Sequence, residues 1–395
     1  MTETNHKARK HALLSASGAS RWLNCTPSAR LEEKFQESAP SVHAEEGTLA
    51  HELSDVHLRY LNGEISVQSR KKELTKIAKH KLYEPQMQVE VDKYIEYVVE
   101  ALNVARATTE DAKLLIEERV DFSHLVEQGF GTGDACIVSD GTLEIIDLKY
   151  GRGVQVFAKD NPQLMLYASG ALRNYELVYD IKEVKMTIAQ PRLDHISSWT
   201  ISVEELLQWG EDIVKPKARE AYQGKGNKQV GEWCKWCKVK ASCPAQADYH
   251  LALAKHEFEE PPLLPLSRVI EIYKQLPMLT DWAGAVADYL KAEALKGTPI
   301  EGYKLVEGRS SRSWTDEAAV EAELLILPDT KPEDYLITKL AGIPAIEKLV
   351  GKKVFPDLLG KYVVKPQGAP TLVPETDGRP PLNSLEIAKK DFQEN

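Results

Sequence analysis

The chain carries two carboxylates and an amine at a spacing that suits metal-assisted hydrolysis. Asp134 and Asp147 stand equally far from the dipeptide Asp140-Gly141, and Lys149 follows two residues after Asp147. The dipeptide separates two alternating apolar runs, which predicts a two-residue hairpin with positive φ at both turn positions. Counting outward from that turn sets Asp134 directly opposite Asp147, with Lys149 emerging on the same face.

Two facing carboxylates repel each other unless a cation lies between them. Their neighbours along the chain are apolar on both faces, among them Ile137, Val138, Ile145 and Ile146, so the strands are expected to be central and buried. Oxygen ligands of this kind suit Mg²⁺ or Mn²⁺. An Asp–Lys ion pair at a strand end remains the alternative.

Two further polar groups accompany the hairpin. Asn161-Pro162 has the sequence of a helix start, and on that helix Gln163 and Tyr167 share one face. His51 lies on an earlier predicted helix among apolar neighbours. A histidine in that position is either a ligand or a core residue whose polar atoms are satisfied by hydrogen bonds.

Four of the five cysteines form a second pattern. Cys234, Cys237 and Cys243 read C-x2-C-x5-C, and Cys25 stands alone near the N-terminus. Three clustered thiolates and one distant one suit a four-iron cluster, which takes one thiolate per iron, better than a zinc site, which usually takes two C-x2-C pairs. Zinc and a metal-free redox C-x-x-C remain open. Cys136 lies in an apolar run and is interpreted as a core residue.

These groups need elements that position them, and periodicity with turn signals predicts helices and strands in alternation. Helices are expected near 13–25, at Glu45–Tyr60 and at Pro85–Ala107. Strands follow at Lys113–Phe122, Gly133–Ser139 and Thr142–Lys149, then a helix at Pro162–Asn174, strands at 183–190 and 195–202, and a helix at Val203–Tyr222.

In this order the motifs resemble the RecB-type branch of the PD-(D/E)XK nucleases. The cysteine layout is similar to that of the iron–sulfur nucleases of the AddB and CRISPR-associated exonuclease type, and the whole arrangement to an uncharacterised phage and prophage family. The resemblance covers about residues 13 to 250, and Asp147 replaces the commoner Glu. The matching positions are Gly47 and His51, Asp134 in Gly-x-Gly-Asp, Asp147 and Lys149 in Asp-x-Lys, and Gln163 and Tyr167 in Gln-x-x-x-Tyr.

The resemblance implies a restriction-endonuclease-like α/β core, with a mixed central sheet flanked by helices. It implies a Mg²⁺ or Mn²⁺ ion held by His51, Asp134, Asp147 and the backbone carbonyl of Leu148. Lys149 would orient or deprotonate the attacking water, and Gln163 and Tyr167 would position Lys149 or the DNA. It also implies a [4Fe-4S] cluster on Cys25, Cys234, Cys237 and Cys243.

The chain of 395 residues has a net charge of −10, which argues against a generally basic nucleic-acid protein but not against a local positive patch. Residues 215–240 carry a local +6 and residues 70–81 a local +5. Solvated helix faces are the alternative, and tryptophans near the cysteines could stack on bases or shield a cluster. The expected DNA contacts are Lys235, Lys238, Lys240, Arg309 and Arg312.

The domain prediction is a nuclease domain over 1–255 closed by the cluster, a linker at 256–265, a mainly helical accessory domain over 266–365 and an irregular tail over 366–395. The sequence predicts no membrane span and no signal peptide. We therefore expect the protein to be located in the cytoplasm of a bacterial host.

The expected function is a metal-dependent DNA exonuclease in phage or prophage recombination or end processing. It would act on single-stranded DNA or duplex ends and leave 5′-phosphates and 3′-hydroxyls, with a single-strand-binding or annealing protein as a possible partner. The alternatives are a non-catalytic DNA-binding or assembly protein with the same fold, and a zinc-stabilised structural protein.

Overall fold

A computed structural model describes residues 12–35, 41–256 and 265–303, which all belong to one compact unit, Met1–Val306. The predicted linker at 256–265 lies almost wholly outside the described residues. Arg309, Arg312, the rest of the predicted accessory domain and the tail lie outside them as well. The domain boundaries therefore stay predictions.

The centre of the unit is a five-stranded mixed sheet in the order β1-β2-β3-β4-β5. β1, β2 and β3 are antiparallel neighbours, β3 and β4 are parallel, and β5 returns antiparallel to β4. A parallel step needs a crossover, which a helix between β3 and β4 supplies. The strands are β1 (Lys113–Asp121), β2 (Phe130–Val138), β3 (Gly141–Leu148), β4 (Ile181–Gln190) and β5 (His195–Ser202).

Helices precede, cross over and follow the sheet. The crossover helix is capped as predicted, since the Asn161 side chain accepts hydrogen bonds from the backbone N–H groups of Gln163 and Leu164. The predicted helix at 203–222 contains a wide π-helical turn at Gly210–Val214. The helices are α1 (Ala19–Asn24), α2 (Ser28–Glu32), α3 (Val42–Leu61), α4 (Val67–Ile77), α5 (Pro85–Thr108), α6 (Pro162–Tyr175), α7 (Val203–Trp209), α8 (Lys215–Gln223), α9 (Pro244–His256) and α10 (Leu266–Leu295).

Both faces of the sheet are covered. Leu143 and Ile145 of β3 pack with residues of α1 and α6, whereas Ile146 and Leu148 pack with residues of α3 and α5. This double burial explains why β3 has apolar residues on both of its faces rather than only at alternate positions. It also means that a charged side chain on these strands must have a partner or a ligand.

The hairpin has the predicted register but a different turn. Cys136 pairs with Ile145 and Val138 with Leu143, as counted from the sequence. Gly141 has a φ of 81°, but Asp140 is not in the left-handed region, so the prediction of positive φ at both positions was wrong. The Asp140 side chain and the Gly141 N–H instead bond to the backbone of Asp180, just before β4, which holds the turn without a second positive φ.

Helix α10 packs against the segment that carries the late cysteines. Lys240 forms a 2.6 Å ion pair with Asp281, and the His250 ring stacks on Trp282 at 5.0 Å between centroids. Among the described helices, none combines the length and the apolar character that a membrane crossing needs.

Candidate functional site

The predicted carboxylates and lysine meet where β2 and β3 end. The Asp134 Oδ2 atom accepts a 2.7 Å hydrogen bond from the backbone N–H of Leu148, which fixes this carboxylate against β3. The Asp147 Oδ2 atom lies 2.8 Å from the Lys149 Nζ atom. The three side chains thus share one side of the ribbon, as the register predicted. The carbonyl of Leu148 as a ligand stays a prediction.

His51 of α3 reaches the same place from outside the sheet. Its Nδ1 atom lies 3.3 Å from Asp134 Oδ1. Gly47, one turn earlier on the same face of α3, has open space where a Cβ would stand, so packing within the described chain does not require a glycine there. The His51 side chain is partly exposed and pairs with an acid of the site, rather than packing wholly among apolar side chains.

The structure adds Glu117 of β1, which the sequence reading missed. Its carboxylate, the His51 imidazole and the Asp134 carboxylate offer ligand atoms within 4.8 Å of one another. The β1–β2 register brings Glu117 opposite Asp134, because Ile116 pairs with Ala135 and Glu118 with Gly133. The loop between β1 and β2 is long, so this register could not be counted from a turn. Glu117 is half-buried in a strand that carries several other charged residues, so no local pattern set it apart.

Glu117 also has an unusual backbone. Its φ of 49° is in the left-handed region, which a non-glycine residue enters at an energetic cost. Residues held in that way cluster at functional sites, because surrounding structure must compensate the strain. The strain is consistent with Glu117 being aimed at a ligand.

The carboxylates at this site repel one another, and burial adds to the cost of ionising them. Burial raises the pKa of Glu117 to about 7, and the Asp134 carboxylate adds to the effect. Burial also raises the pKa of Asp147, against the opposing ammonium of Lys149. Burial opposes a charge on His51, but Asp134, Asp147 and Glu117 together outweigh it and raise its pKa to about 9. Excess negative charge in a buried site is what a cation would relieve.

The Gln163 side chain bridges Lys149 and Asp147. Its Nε2 atom donates to Asp147 Oδ1 at 2.9 Å, and its Oε1 atom accepts from Lys149 Nζ at 3.2 Å. Tyr167 is on the same face of α6, with its hydroxyl 3.5 Å from Gln163 Nε2. A Cβ at Gly131 would stand 2.5 Å from the Tyr167 ring, so glycine is needed where β2 passes this tyrosine.

The donor set fits a hard divalent cation. Glu117 and Asp134 offer carboxylate oxygens and His51 offers a nitrogen, and these atoms lie within 4.8 Å of one another. The Asp147 carboxylate lies beside this group, where Gln163 and Lys149 hold it. Such oxygen-rich sets favour Mg²⁺ or Mn²⁺ over softer metals. An adjacent buried ammonium is not a ligand, and Asp147 keeps the pKa of Lys149 raised despite burial. Lys149 is thus a cation beside the ligands.

A second candidate site unites the four predicted cysteines. Cys25 follows α1, and the late three lie on short turns before α9, yet all four line one cavity. Two contacts join the early and late segments at this place. The Glu32 side chain accepts from the Lys238 backbone N–H at 2.7 Å, and the Arg21 guanidinium, which pairs with Glu32 at 2.8 Å, donates to the Trp236 carbonyl at 3.5 Å.

The thiols at this site do not have the character of a redox pair. Burial raises the pKa of Cys237 to about 12 and raises that of Cys25 as well. Reactive C-x-x-C thiols instead have a lowered pKa. Cys136 is fully buried in β2, where burial raises its pKa far above the usual range, in line with the core residue predicted.

One buried donor at the cysteine cavity has no partner. Gln246 lines the cavity and is 2 % exposed, and its Nε2 atom makes no hydrogen bond within the described part of the chain. Its Oε1 atom lies 3.0 Å from His250 Nε2, so this histidine nitrogen carries the proton and the amide N–H₂ is left over. A buried unpaired donor beside four sulfurs fits a site that holds anionic sulfur ligands.

The basic residues predicted for DNA have different surroundings. Lys235 and Lys238 are exposed, and the Lys235 ammonium lies 5.3 Å from the Trp236 ring centroid. Lys240 is instead engaged within the protein, by Asp281 at 2.6 Å and by the carbonyl of Lys235 at 2.9 Å. Its expected phosphate contact is not supported by this geometry, because its charge is already neutralised.

A family model described as "Protein of unknown function (DUF2800)" matches residues 11–380 of the chain. A solved structure titled "Crystal structure of SSO0001" is 16 % identical over 58 % of this chain and 96 % of that chain, with a TM-score of 0.21. A likeness at that TM-score carries no argument about this molecule.

Proposed function

We propose that this chain, which belongs to DUF2800, a phage-associated family of unknown function, is a metal-dependent DNA exonuclease with a PD-(D/E)XK core. One observation carries the proposal. His51, Glu117 and Asp134 converge within 4.8 Å beside an Asp147–Lys149 pair at the end of two buried strands. No packing requirement explains three acids, an imidazole and an ammonium there.

A divalent cation held by Asp134, Asp147, His51 and Glu117 would polarise the scissile phosphodiester and stabilise its developing negative charge. The protein groups would do the rest. Lys149 would hold the attacking water and offset charge on the phosphate. Gln163 would fix the Lys149 ammonium, since it bridges Lys149 and Asp147. Tyr167 would orient Gln163 from the next turn of α6.

The cysteine site supports a four-iron cluster over zinc. Cys25, Cys234, Cys237 and Cys243 line one cavity, three from neighbouring turns and one from a distant segment. Zinc sites usually take two C-x2-C pairs. A cubane takes one thiolate per iron, which suits three clustered thiolates and one distant one.

The proposed cluster would have a structural role. It would hold the segment after α1 to the turns before α9, where Arg21, Glu32 and Lys238 already join the two. The exposed Lys235 and Lys238 on these turns would then meet the DNA backbone. The proposed setting is phage or prophage recombination or end processing, with a single-strand-binding or annealing protein as partner.

The test is digestion of end-labelled single- and double-stranded DNA with Mg²⁺ or Mn²⁺, with Lys149→Ala and Lys182→Ala side by side. Lys182 is an exposed lysine paired with Asp180 at the opposite end of the parallel strands. We expect Lys149→Ala to lose cleavage by roughly 10²–10⁴-fold, the range of a positioned proton-transfer group, and Lys182→Ala to keep it. Undiminished cleavage by Lys149→Ala would reject the site. Wild-type protein that binds every DNA but cleaves none would instead favour the non-catalytic DNA-binding alternative.

A further inference from the structure

Helix α4 has one face of lysines that the functional site does not use. Gln68, Lys71, Lys72, Thr75, Lys76 and Lys79 line a shallow surface groove, and all six are exposed. Within the described residues, none of the four ammonium groups forms an ion pair or hydrogen bond. The segment 70–81 contains a single acid, Glu73. This face is therefore locally positive in a chain whose net charge is −10.

The opposite face of α4 explains how the lysines are held outward. Ile77 is buried, and Leu74 packs against the core under α3 and α5. The Arg70 guanidinium stacks on the Tyr60 ring at 4.5 Å and lies 3.0 Å from His57 Nδ1. The helix is therefore amphipathic, with its cationic face fixed by the apolar one.

The packing of α4 on α3 places this lysine row alongside the part of α3 that carries His51. Arg70 contacts His57, and Lys81, just past α4, pairs with Glu45 at 3.4 Å. These two contacts run the helices antiparallel and bring Lys76 level with His51 along α3. The row from Lys71 to Lys79 spans about 12 Å at the helical rise.

We infer that the α4 lysine face, defined as Lys71, Lys72, Lys76 and Lys79, binds the phosphate backbone of the DNA that leads to or from the metal centre. The inference rests on the proposed function. At about 3.4 Å of axial rise per nucleotide along a duplex strand, the row of about 12 Å spans about three to four nucleotide steps. Free ammonium groups on a rigid helix complement such a charge pattern and read no sequence.

The first experiment measures binding without turnover, with Ca²⁺ in place of Mg²⁺, by fluorescence anisotropy of a labelled single-stranded oligonucleotide. The test variant is Lys72→Gln with Lys76→Gln. The matched control is Lys274→Gln with Lys291→Gln, two exposed lysines of α10. We expect the test variant to weaken affinity about tenfold and to lower the salt slope by about 1.4, for two contacts at about 0.7 each. The control should change neither.

A second experiment locates the contact on the strand. Neutral methylphosphonates replace one phosphate at a time, and the positions that weaken wild-type binding should lose their effect in the α4 variant. A salt slope and neutral-phosphate pattern equal to wild type would overturn the inference, and would leave the α4 lysine face to an acidic protein partner. If the α4 variant binds like wild type but the wild-type protein cleaves DNA, the α4 inference fails and the proposed function stands. If the α4 variant binds DNA more weakly but the wild-type protein does not cleave it, the proposed function fails and the α4 contact stands.

Discussion

The proposed metal centre and the cysteine site both bring several anionic side chains together, but with opposite architectures. The proposed metal centre is built on strand ends that a buried sheet fixes, and Asp134, Asp147 and His51 already contact one another or Lys149. The cysteine site is built on short turns around Cys234 and Cys243, with one ligand from a distant segment and an unpaired donor beside it. The first site is preorganised by the fold, whereas the second is expected to organise the fold.

The largest expected effects come from substituting one proposed ligand at each site. Activity, stability and metal binding are then measured for each variant. Asp134→Asn should reduce cleavage more than about 100-fold, beyond the range for an outer-shell partner. Above about pH 9, where His51 is neutral, it should not lower the melting temperature of the metal-free protein, because it removes like-charge repulsion with Glu117 and Asp147. Digestion assays and thermal unfolding with chelator check this. A large loss of stability would show that the carboxylate holds the strands together.

Cys25→Ser should show the reverse pattern. It should release the metal and lower the melting temperature by about 5–10 °C, since a structural metal contributes several kcal/mol to folding and each kcal/mol is roughly 2–4 °C. Catalytic-metal affinity of the remaining folded protein should be unchanged. Iron and sulfide assays after anaerobic purification, with Cys136→Ser as a buried-cysteine control, check this. A metal content equal to wild type would exclude Cys25 as a ligand.

Glu117 tests how much of the metal centre the sequence could predict. The hairpin register followed from one turn, so Asp134, Asp147 and Lys149 were found from spacing alone. Glu117 reaches the site through the β1–β2 pairing and a left-handed φ, and neither is encoded in a local pattern. Glu117→Gln should weaken Mn²⁺ binding about 10- to 100-fold, measured by calorimetry. Unchanged affinity would make Glu117 a neighbour rather than a ligand.

Residue type and spacing predicted that Cys25, Cys234, Cys237 and Cys243 come together, and all four line one cavity. Thiols are rare, so four of five in one spacing pattern indicate one site without any knowledge of the fold. What spacing could not predict is the support from α10, whose Trp282 and Asp281 lie against His250 and Lys240. Such a contact depends on how two helices pack, and no local sequence signal carries it.

A smaller effect is the pH dependence of the metal-free protein. The pKa of His51 is raised to about 9 and that of Glu117 to about 7. The folded state therefore binds more protons than the unfolded one, and stability falls as pH rises. Glu117 contributes between about pH 4.5 and 7, and His51 between about 6.5 and 9. The melting temperature in chelator should decline across this range, and His51→Gln should flatten its upper half.

Added Mn²⁺ should reverse that trend, because the ion competes with these protons and binds more tightly as pH rises. The stabilisation by Mn²⁺ should thus grow from about pH 6 to 8. A metal-free stability that rises over the same range would contradict the charge arrangement at the metal centre, whatever the cysteine site does.

The smallest effect is expected at Gln246. Its unpaired Nε2 donor lies at the cysteine cavity, held by the bond of its Oε1 atom to His250, whose ring stacks on Trp282. Hydrogen bonds to cluster sulfurs stabilise the reduced, more negative state, so Gln246→Leu should lower the reduction potential and leave iron content near that of wild type. Redox titration followed by electron paramagnetic resonance measures this. Tyr249→Phe, which removes only a hydrogen bond to Gln275, is the control. If both variants leave the reduction potential unchanged, the Gln246 amide does not donate to the cluster sulfurs. The cysteine site would then be held by its own ligand segments alone.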